Sequence, residues 1–264
     1  MLTLGFSPCP NDTFIFHALV HGLCPGPTFA PPQLADVETL NRWALAGRLD
    51  VTKLSFHAYG LVQDRYQLLS AGSALGRGCG PLLVARQGQG RKEISRATIA
   101  IPGDYTTAAL LMRLYGPPGM RFVTMEFSRI MAAVAAGEVD YGVIIHESRF
   151  TYQDQGLCCV QDLGIWWEEE TGLPLPLGGI VARRELGEER LAAVAEAVAA
   201  SVRYAMANPQ ASRDYIKEHA QEMADGVISS HVDLYVNPFS LELGEEGRAA
   251  IAELLRRGRE KEIF

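Results

Sequence analysis

Charge is scarce in this sequence and has the wrong sign for a polyanion partner. Only 21% of the 264 residues are charged and the net balance is −7, so no clustered positive field exists for a nucleic-acid groove or an anionic membrane surface. Any anionic ligand must be held by local donors. The five cysteines (Cys9, Cys24, Cys79, Cys158 and Cys159) form no CxxC pair and no zinc spacing, which fits a reducing compartment. The opening Met1-Leu-Thr-Leu-Gly-Phe-Ser-Pro8 lacks the basic segment, apolar run and small-residue cleavage site of an export signal. No later apolar run is long enough to span a bilayer. A cytoplasmic location is therefore expected. Nucleotide and metal chemistry also lack their usual marks: no GxGxxG follows a strand, GxxxxGK[ST] is absent, and His17, His21, His219 and His231 show no HExxH spacing. No metal and no cofactor is expected. Gly76-Arg-Gly-Cys-Gly80 is rich in glycine but reads as a flexible turn.

What the chain does have is apolar mass, 48% of its residues, enough for a substantial core in one large or two small domains. It also has internal similarity. Residues 38–55 read as a helix stopped by Gly47, a short turn and a buried strand, and residues 128–145 repeat that grammar around Gly137. Ala-Gly-x-apolar-Asp separates helix from strand in both, so Asp50 aligns with Asp140. Before each copy stands another matched pair: Leu2–Phe6 with its loop and apolar helix parallels Ala97–Ile101 with Pro102–Tyr105 and a second apolar helix. A third match, Gly80-Pro-Leu-Leu-Val-Ala-Arg86 against Gly178-Gly-Ile-Val-Ala-Arg183, brackets the second copy. These strands are expected to carry the chain out to a second lobe and back, with Arg86–Lys92 and Leu173–Leu177 as hinge-like connections. The fold class is α/β in two lobes with a ligand cleft between them: residues 1–84 and 178–264 form lobe one, and 85–177 form lobe two. After Gly187 the chain is mostly helical; Leu191, Val194, Ala195, Val198 and Val202 form a core stripe, and Pro209 ends that helix.

In open α/β sheets ligands bind outside the carboxyl ends of the strands. Four segments meet that condition: Ser7–Thr13, Lys53–His57, Pro102–Thr107 and Ile144–Ser148. Thr106 and Thr107 precede an apolar helix, so their hydroxyls and the first helix amides form a carboxylate or phosphate site, although simple N-capping explains them equally well. Asn11, Asp12 and Thr13 open the matching helix. His146 ends an apolar strand and is the first choice as general base; Glu147 would orient it only if the chain turns between them. Cys9, between two prolines near a helix start, is the alternative reactive group or a rigid turn. Lys53 is placed to meet a substrate carboxylate.

Several of these segments carry a resemblance. Ser7-Pro-Cys-Pro-Asn-Asp-Thr-Phe-Ile-Phe-His-Ala-Leu19, Asp36-Val-Glu-Thr-Leu-Asn41, Thr52-Lys-Leu-Ser55, Thr106-Thr107 and Ile144-Ile-His-Glu-Ser-Arg-Phe-Thr-Tyr152 resemble the signature segments of the 1,4-dihydroxy-6-naphthoate synthases of the futalosine route to menaquinone. Gly172–Gly178 and His231–Asn237 match as well. The resemblance implies a type II periplasmic-binding-protein-like fold recruited as a lyase, acting without a cofactor on cyclic dehypoxanthinylfutalosine. It implies a proton acceptor at His146 and substrate contacts at Lys53, Leu54, Ser55, Thr106 and Thr107; Asn11 and Cys9 complete the expected contact set.

Two rival readings stand beside it. A non-catalytic solute-binding protein would share the fold, since fold says nothing of chemistry. Chorismate dehydratase of the same pathway would share the elimination from an anion, but its opening segment differs. The expected partner is a small anionic molecule, with no nucleic acid and no membrane; nothing in the sequence indicates a homo-oligomer.

Overall fold

The computed structural model describes residues 1–88, 93–146, 148–220 and 224–264. The chain begins with β1 (Leu4–Phe6), α1 (Pro10–Val20), β2 (Gln33–Leu34), α2 (Val37–Leu45), β3 (Val51–Ser55), α3 (Phe56–Val62), β4 (Tyr66–Leu68) and β5 (Ala74–Gly76). It continues through β6 (Leu82–Arg86), β7 (Thr98–Ile101), α4 (Thr107–Tyr115), β8 (Arg121–Thr124), α5 (Phe127–Ala136), β9 (Tyr141–Ile144), α6 (Ser148–Thr151), β10 (Leu157–Asp162) and α7 (Leu163–Thr171). Then follow β11 (Leu175–Arg183), α8 (Glu188–Ala207), α9 (Arg213–His219), α10 (Asp225–Tyr235), α11 (Pro238–Leu241) and α12 (Gly244–Glu260).

Two sheets result, ordered β2-β1-β3-β11-β4, with β5 also on β11, and β8-β7-β9-β6-β10. The orders are equivalent strand for strand. In each, the first three strands are parallel and the fourth runs antiparallel to the third. The internal repeat thus extends further than the helix-Gly-strand grammar. Gly47 and Gly137 both take positive φ, 66° and 76°, which ends each helix with a left-handed residue that costs glycine little. The aspartate that follows latches onto the start of the first strand: Thr3 N–H and Oγ1 donate to Asp50 at 2.8 and 2.9 Å, and Thr98 N–H donates to Asp140 at 2.8 Å. The shared Ala-Gly-x-apolar-Asp is therefore a joint between strands, remote from chemistry.

The two Val-Ala-Arg strands do not themselves carry the chain between the lobes; each lies wholly in one sheet. Each is the fourth strand of a different sheet, in matching register: Val181 pairs with Thr52, two beyond Asp50, and Val84 pairs with Gly142, two beyond Asp140. Lobe two's fourth strand precedes its other strands in sequence, and lobe one's follows lobe two. All of β6 lies in the second sheet and all of β11 in the first, so the crossings fall at 77–81 and 172–174. Leu173–Leu177 overlaps the second crossing and is mostly strand, because Leu175 pairs with Gly76. Pro176, with no N–H to give, sits where that ladder shifts register. The other expected hinge starts with Arg86 at the end of β6, and Gln87 N–H bonds Gly156 O within the second lobe; its residues 89–92 lie outside the described residues. Gly80 is a close-packing position and not merely a flexible turn, since a Cβ there would stand 2.3 Å from the Gly164 backbone.

The largest apolar core joins both lobes. Phe56, Leu75 and Leu175 pack among Ile99, Leu110, Val143 and Trp167, and α12 covers them with Ile251, Leu254 and Leu255. A second core buries Phe6, Phe16 and Ile180 under the α8 stripe Leu191, Val194, Val198 and Val202, as the helical spacing of that segment predicts; α8 ends at Ala207, ahead of Pro209.

Candidate active site

The four segments at the strand ends meet. Asn11, Lys53, Leu54, Ser55, Thr106, Thr107 and His146 all line one cleft of about 680 Å³, measured to its open mouth. Cys9 adjoins it, with Sγ 3.5 Å from Nδ1 and 3.9 Å from Nε2 of His146. Such similar distances to both nitrogens place the sulfur beside the ring edge or over its face, not in line with one lone pair.

His146 leaves the strand direction of β9. Its φ is 57°, in the left-handed region that a side chain with a Cβ rarely adopts. That turn frees the imidazole from the alternation of β9 and aims it across the cleft. The ring meets Phe127 edge-on at 5.1 Å and lies nearly parallel to His231, 6.1 Å between centroids. The expected orienting partner Glu147 lies outside the described residues.

On the facing wall, β3 alternates: Lys53 and Ser55 face the cleft side, while Leu54 packs with Ala44, Ala58, Val62 and Tyr66. Any substrate contact of Leu54 is therefore made by its backbone. Lys53 Nζ donates to Asp12 Oδ1 at 2.7 Å with both side chains buried. Asp12 Oδ1 also accepts from Asn11 Nδ2 at 3.0 Å, and Oδ2 accepts from Ser7 N–H and Oγ at 3.2 and 2.8 Å. Asn11 in turn accepts from His231 Nε2 at 3.0 Å. Burial first, then the nearby charges of His146 and Lys53, push the His231 pKa down to about 3, so this ring is neutral at physiological pH.

Ser55 is held by Asn41, whose Nδ2 donates to Ser55 Oγ at 3.1 Å and whose Oδ1 accepts from Ser55 N–H at 2.9 Å. Because its oxygen accepts that bond, the hydroxyl proton stays available to a ligand. The two threonines are different. Thr106 Oγ1 donates to Gly103 O and accepts from Ala109 N–H, an N-cap. Thr107 Oγ1 donates to Leu177 O and accepts from Phe56 N–H at 3.0 Å, tying α4 to β11 and α3. Both hydroxyls are thus committed to the fold; what α4 offers a ligand is its first amides, which have no intrahelical acceptor. His57 is buried away from the cleft, with Nδ1 3.2 Å from Thr106 O, and burial, followed by the charge of Arg113, lowers its pKa to about 4.

Sequence reasoning missed His231, Asn41, Tyr235 and Cys79 as neighbours of the site. Asn41 ends the Asp36–Asn41 segment and His231 opens the His231–Asn237 segment, so their motifs were visible while their roles were not. Cys79 lines the cleft, but burial pushes its thiol up to about 12, which leaves it inert at neutral pH. Among the described residues, no three His, Cys, Asp or Glu side chains are grouped to hold a metal ion.

A family model described as "Menaquinone biosynthesis" matches residues 2–260. The 1,4-dihydroxy-6-naphtoate synthase of Thermus thermophilus is 58% identical over 253 residues, covering 96% of this chain and 92% of the relative. The protein of the same name from Streptomyces coelicolor is 49% identical over 261 residues, covering 97% and 92%. A crystal structure from Archaeoglobus fulgidus superposes with a TM-score of 0.93 at 36% identity, covering 100% of this chain and 98% of that one. The periplasmic aliphatic sulphonate binding protein SsuA of Escherichia coli superposes at 0.71 with 14% identity, covering 99% and 92%, a likeness of fold alone. The architecture is thus the two-lobed α/β fold of periplasmic binding proteins, and the chain belongs to the menaquinone biosynthesis family, among relatives that are enzymes.

Proposed function

We propose that this protein converts cyclic dehypoxanthinylfutalosine to 1,4-dihydroxy-6-naphthoate, with His146 as the proton acceptor and no cofactor. The observation that carries the reading is the shared cleft, in which His146 faces Lys53, Ser55 and the start of α4. The substrate carboxylate is gripped by the first α4 amides, the Ser55 hydroxyl and the Lys53 ammonium. His146 removes an activated proton, the electron pair left behind expels the sugar-derived fragment, and the bicyclic ring becomes aromatic, which drives the step. The protein orients the substrate and excludes water between the lobes. All five cysteines are thiols, which fits action in a reducing compartment.

The test is incubation with the cyclic futalosine derivative, following the naphthoate by absorbance. Turnover is expected in the wild type, with kcat lower by roughly 10²–10⁴ in His146→Ala, the usual range for a lost general base. Wild-type rates in that variant remove His146 from the mechanism. Binding without product points to a solute-binding protein, and product from chorismate points to the dehydratase.

A further inference from the structure

His231 is a buried titratable group at the cleft that this mechanism leaves unused. It lies on α10, is 0% exposed, and yet lines the cleft. Its tautomer follows from the bonds around it. Asn11 Nδ2 donates to the Asp12 carboxylate, so Asn11 Oδ1 faces the ring and Nε2 of His231 must carry the proton. Nδ1 has no hydrogen-bond partner among the described residues. A second proton there would be buried without an acceptor, close to Lys53 and His146. The low pKa of the ring agrees with this geometry.

Beyond Asn11 the bonds leave little freedom. Asp12 accepts two donors on each oxygen: Asn11 and Lys53 on Oδ1, and Ser7 N–H and Oγ on Oδ2. A carboxylate with about four acceptor positions is then saturated. Lys53 gives one of its three N–H groups to Asp12, and among the described residues no side chain or carbonyl takes the other two, which are left for the cleft. We propose that His231 is a positioning residue: its Nε2–H orients Asn11, Asn11 orients Asp12, and Asp12 holds the Lys53 ammonium toward the anionic group of the substrate. This rests on the reading of an anionic substrate given above.

Three variants test it: His231→Leu, which removes the donor, His231→Gln, which returns an amide N–H near the Nε2 position, and His231→Asn, whose amide sits nearer Nδ1. In His231→Leu, KM is expected to rise about ten-fold and naphthoate affinity by calorimetry to fall about as much, while kcat stays within about three-fold, the pattern of a lost binding contact. His231→Gln is expected to restore both to within about three-fold of wild type. The proposal is overturned by unchanged KM and naphthoate affinity in the Leu variant, by a Gln variant no better than Leu, or by a fall confined to kcat. Should the Leu variant not fold, Gln and Asn decide: better KM in Gln supports the relay, and equal KM overturns it. A wild-type protein that neither turns over the substrate nor binds the naphthoate overturns the functional reading itself, and does so without any variant.

Discussion

At position 146 one residue carries both the proposed chemistry and a backbone cost. A left-handed φ in a residue with a Cβ costs about 1–2 kcal/mol, and the 57° at His146 is what turns the imidazole off its strand. Glycine removes that cost, while alanine keeps it. His146→Gly is therefore expected to be more stable than His146→Ala by about 1 kcal/mol in urea unfolding, with both variants losing turnover alike. A Gly variant less stable than the Ala variant would show that the turn is unstrained. The same scale explains why the sequence left two hydroxyls open between capping and ligand binding. Thr106 and Thr107 stand at a helix start, where capping and ligand binding look identical in sequence. Thr106 bonds locally, to Gly103 O and Ala109 N–H, whereas the partners of Thr107 lie far along the chain: Phe56 N–H, 51 residues away, and Leu177 O, 70 away. His231 and Asn11, 220 apart, were similarly beyond any local pattern. Lys53, Ser55 and His146 were legible because a strand end in an α/β sheet faces the crevice by topology.

Among the elements, the repeated joint between helix and strand makes its own prediction. Asp50 receives two bonds from Thr3 and lies outside the cleft. Asp50→Ala is expected to lower stability by about 1.5–3 kcal/mol, the range for hydrogen bonds to a charged group, while kcat and KM stay at wild-type values. Equal loss of activity and stability would mean that the joint also shapes the site. The bond from Thr3, 47 residues away, lay beyond any local pattern, but the Ala-Gly-x-apolar-Asp frame was readable because its parts are consecutive in sequence: a helix, a left-handed glycine, an aspartate and a strand. The exchange of fourth strands was not. Val-Ala-Arg occurs twice with the same local pattern, and only non-local pairing, Val181 with Thr52 and Val84 with Gly142, assigns each copy to its sheet. Strand pairing between distant segments is set by the whole core and not by the pattern of either strand.

Across the whole molecule, the two sheets are joined by more than their crossings. Phe56 and Leu75 of the first lobe share one apolar core with Ile99, Val143 and Trp167 of the second, and Tyr105 N–H and O bond Glu38 and Asn41 across the junction. Neither lobe can unfold without exposing part of that core, so urea is expected to produce one transition, coincident by tryptophan fluorescence and far-UV circular dichroism. Acid should weaken it. His57 and His231 are neutral in the folded protein, with pKa values lowered to about 4 and about 3, whereas in the unfolded chain both titrate near 6.5. Between those values the unfolded state binds more protons. Their stabilisation is therefore whole above about pH 6.5 and is lost as pH falls toward the folded pKa, by about 1.4 kcal/mol per pH unit for each ring. Glu38, whose pKa burial raises, acts with the opposite sign and softens the slope at its acid end. His57→Asn, which keeps a donor near Nδ1 for Thr106 O and removes the titration, is expected to make the histidine-driven slope between pH 6.5 and 5 shallower, leaving the shares of His231 and of His17, whose pKa burial and then His21 also lower. An unchanged slope in that variant would place the acid sensitivity elsewhere, and two separated urea transitions would show that the shared core does not couple the lobes.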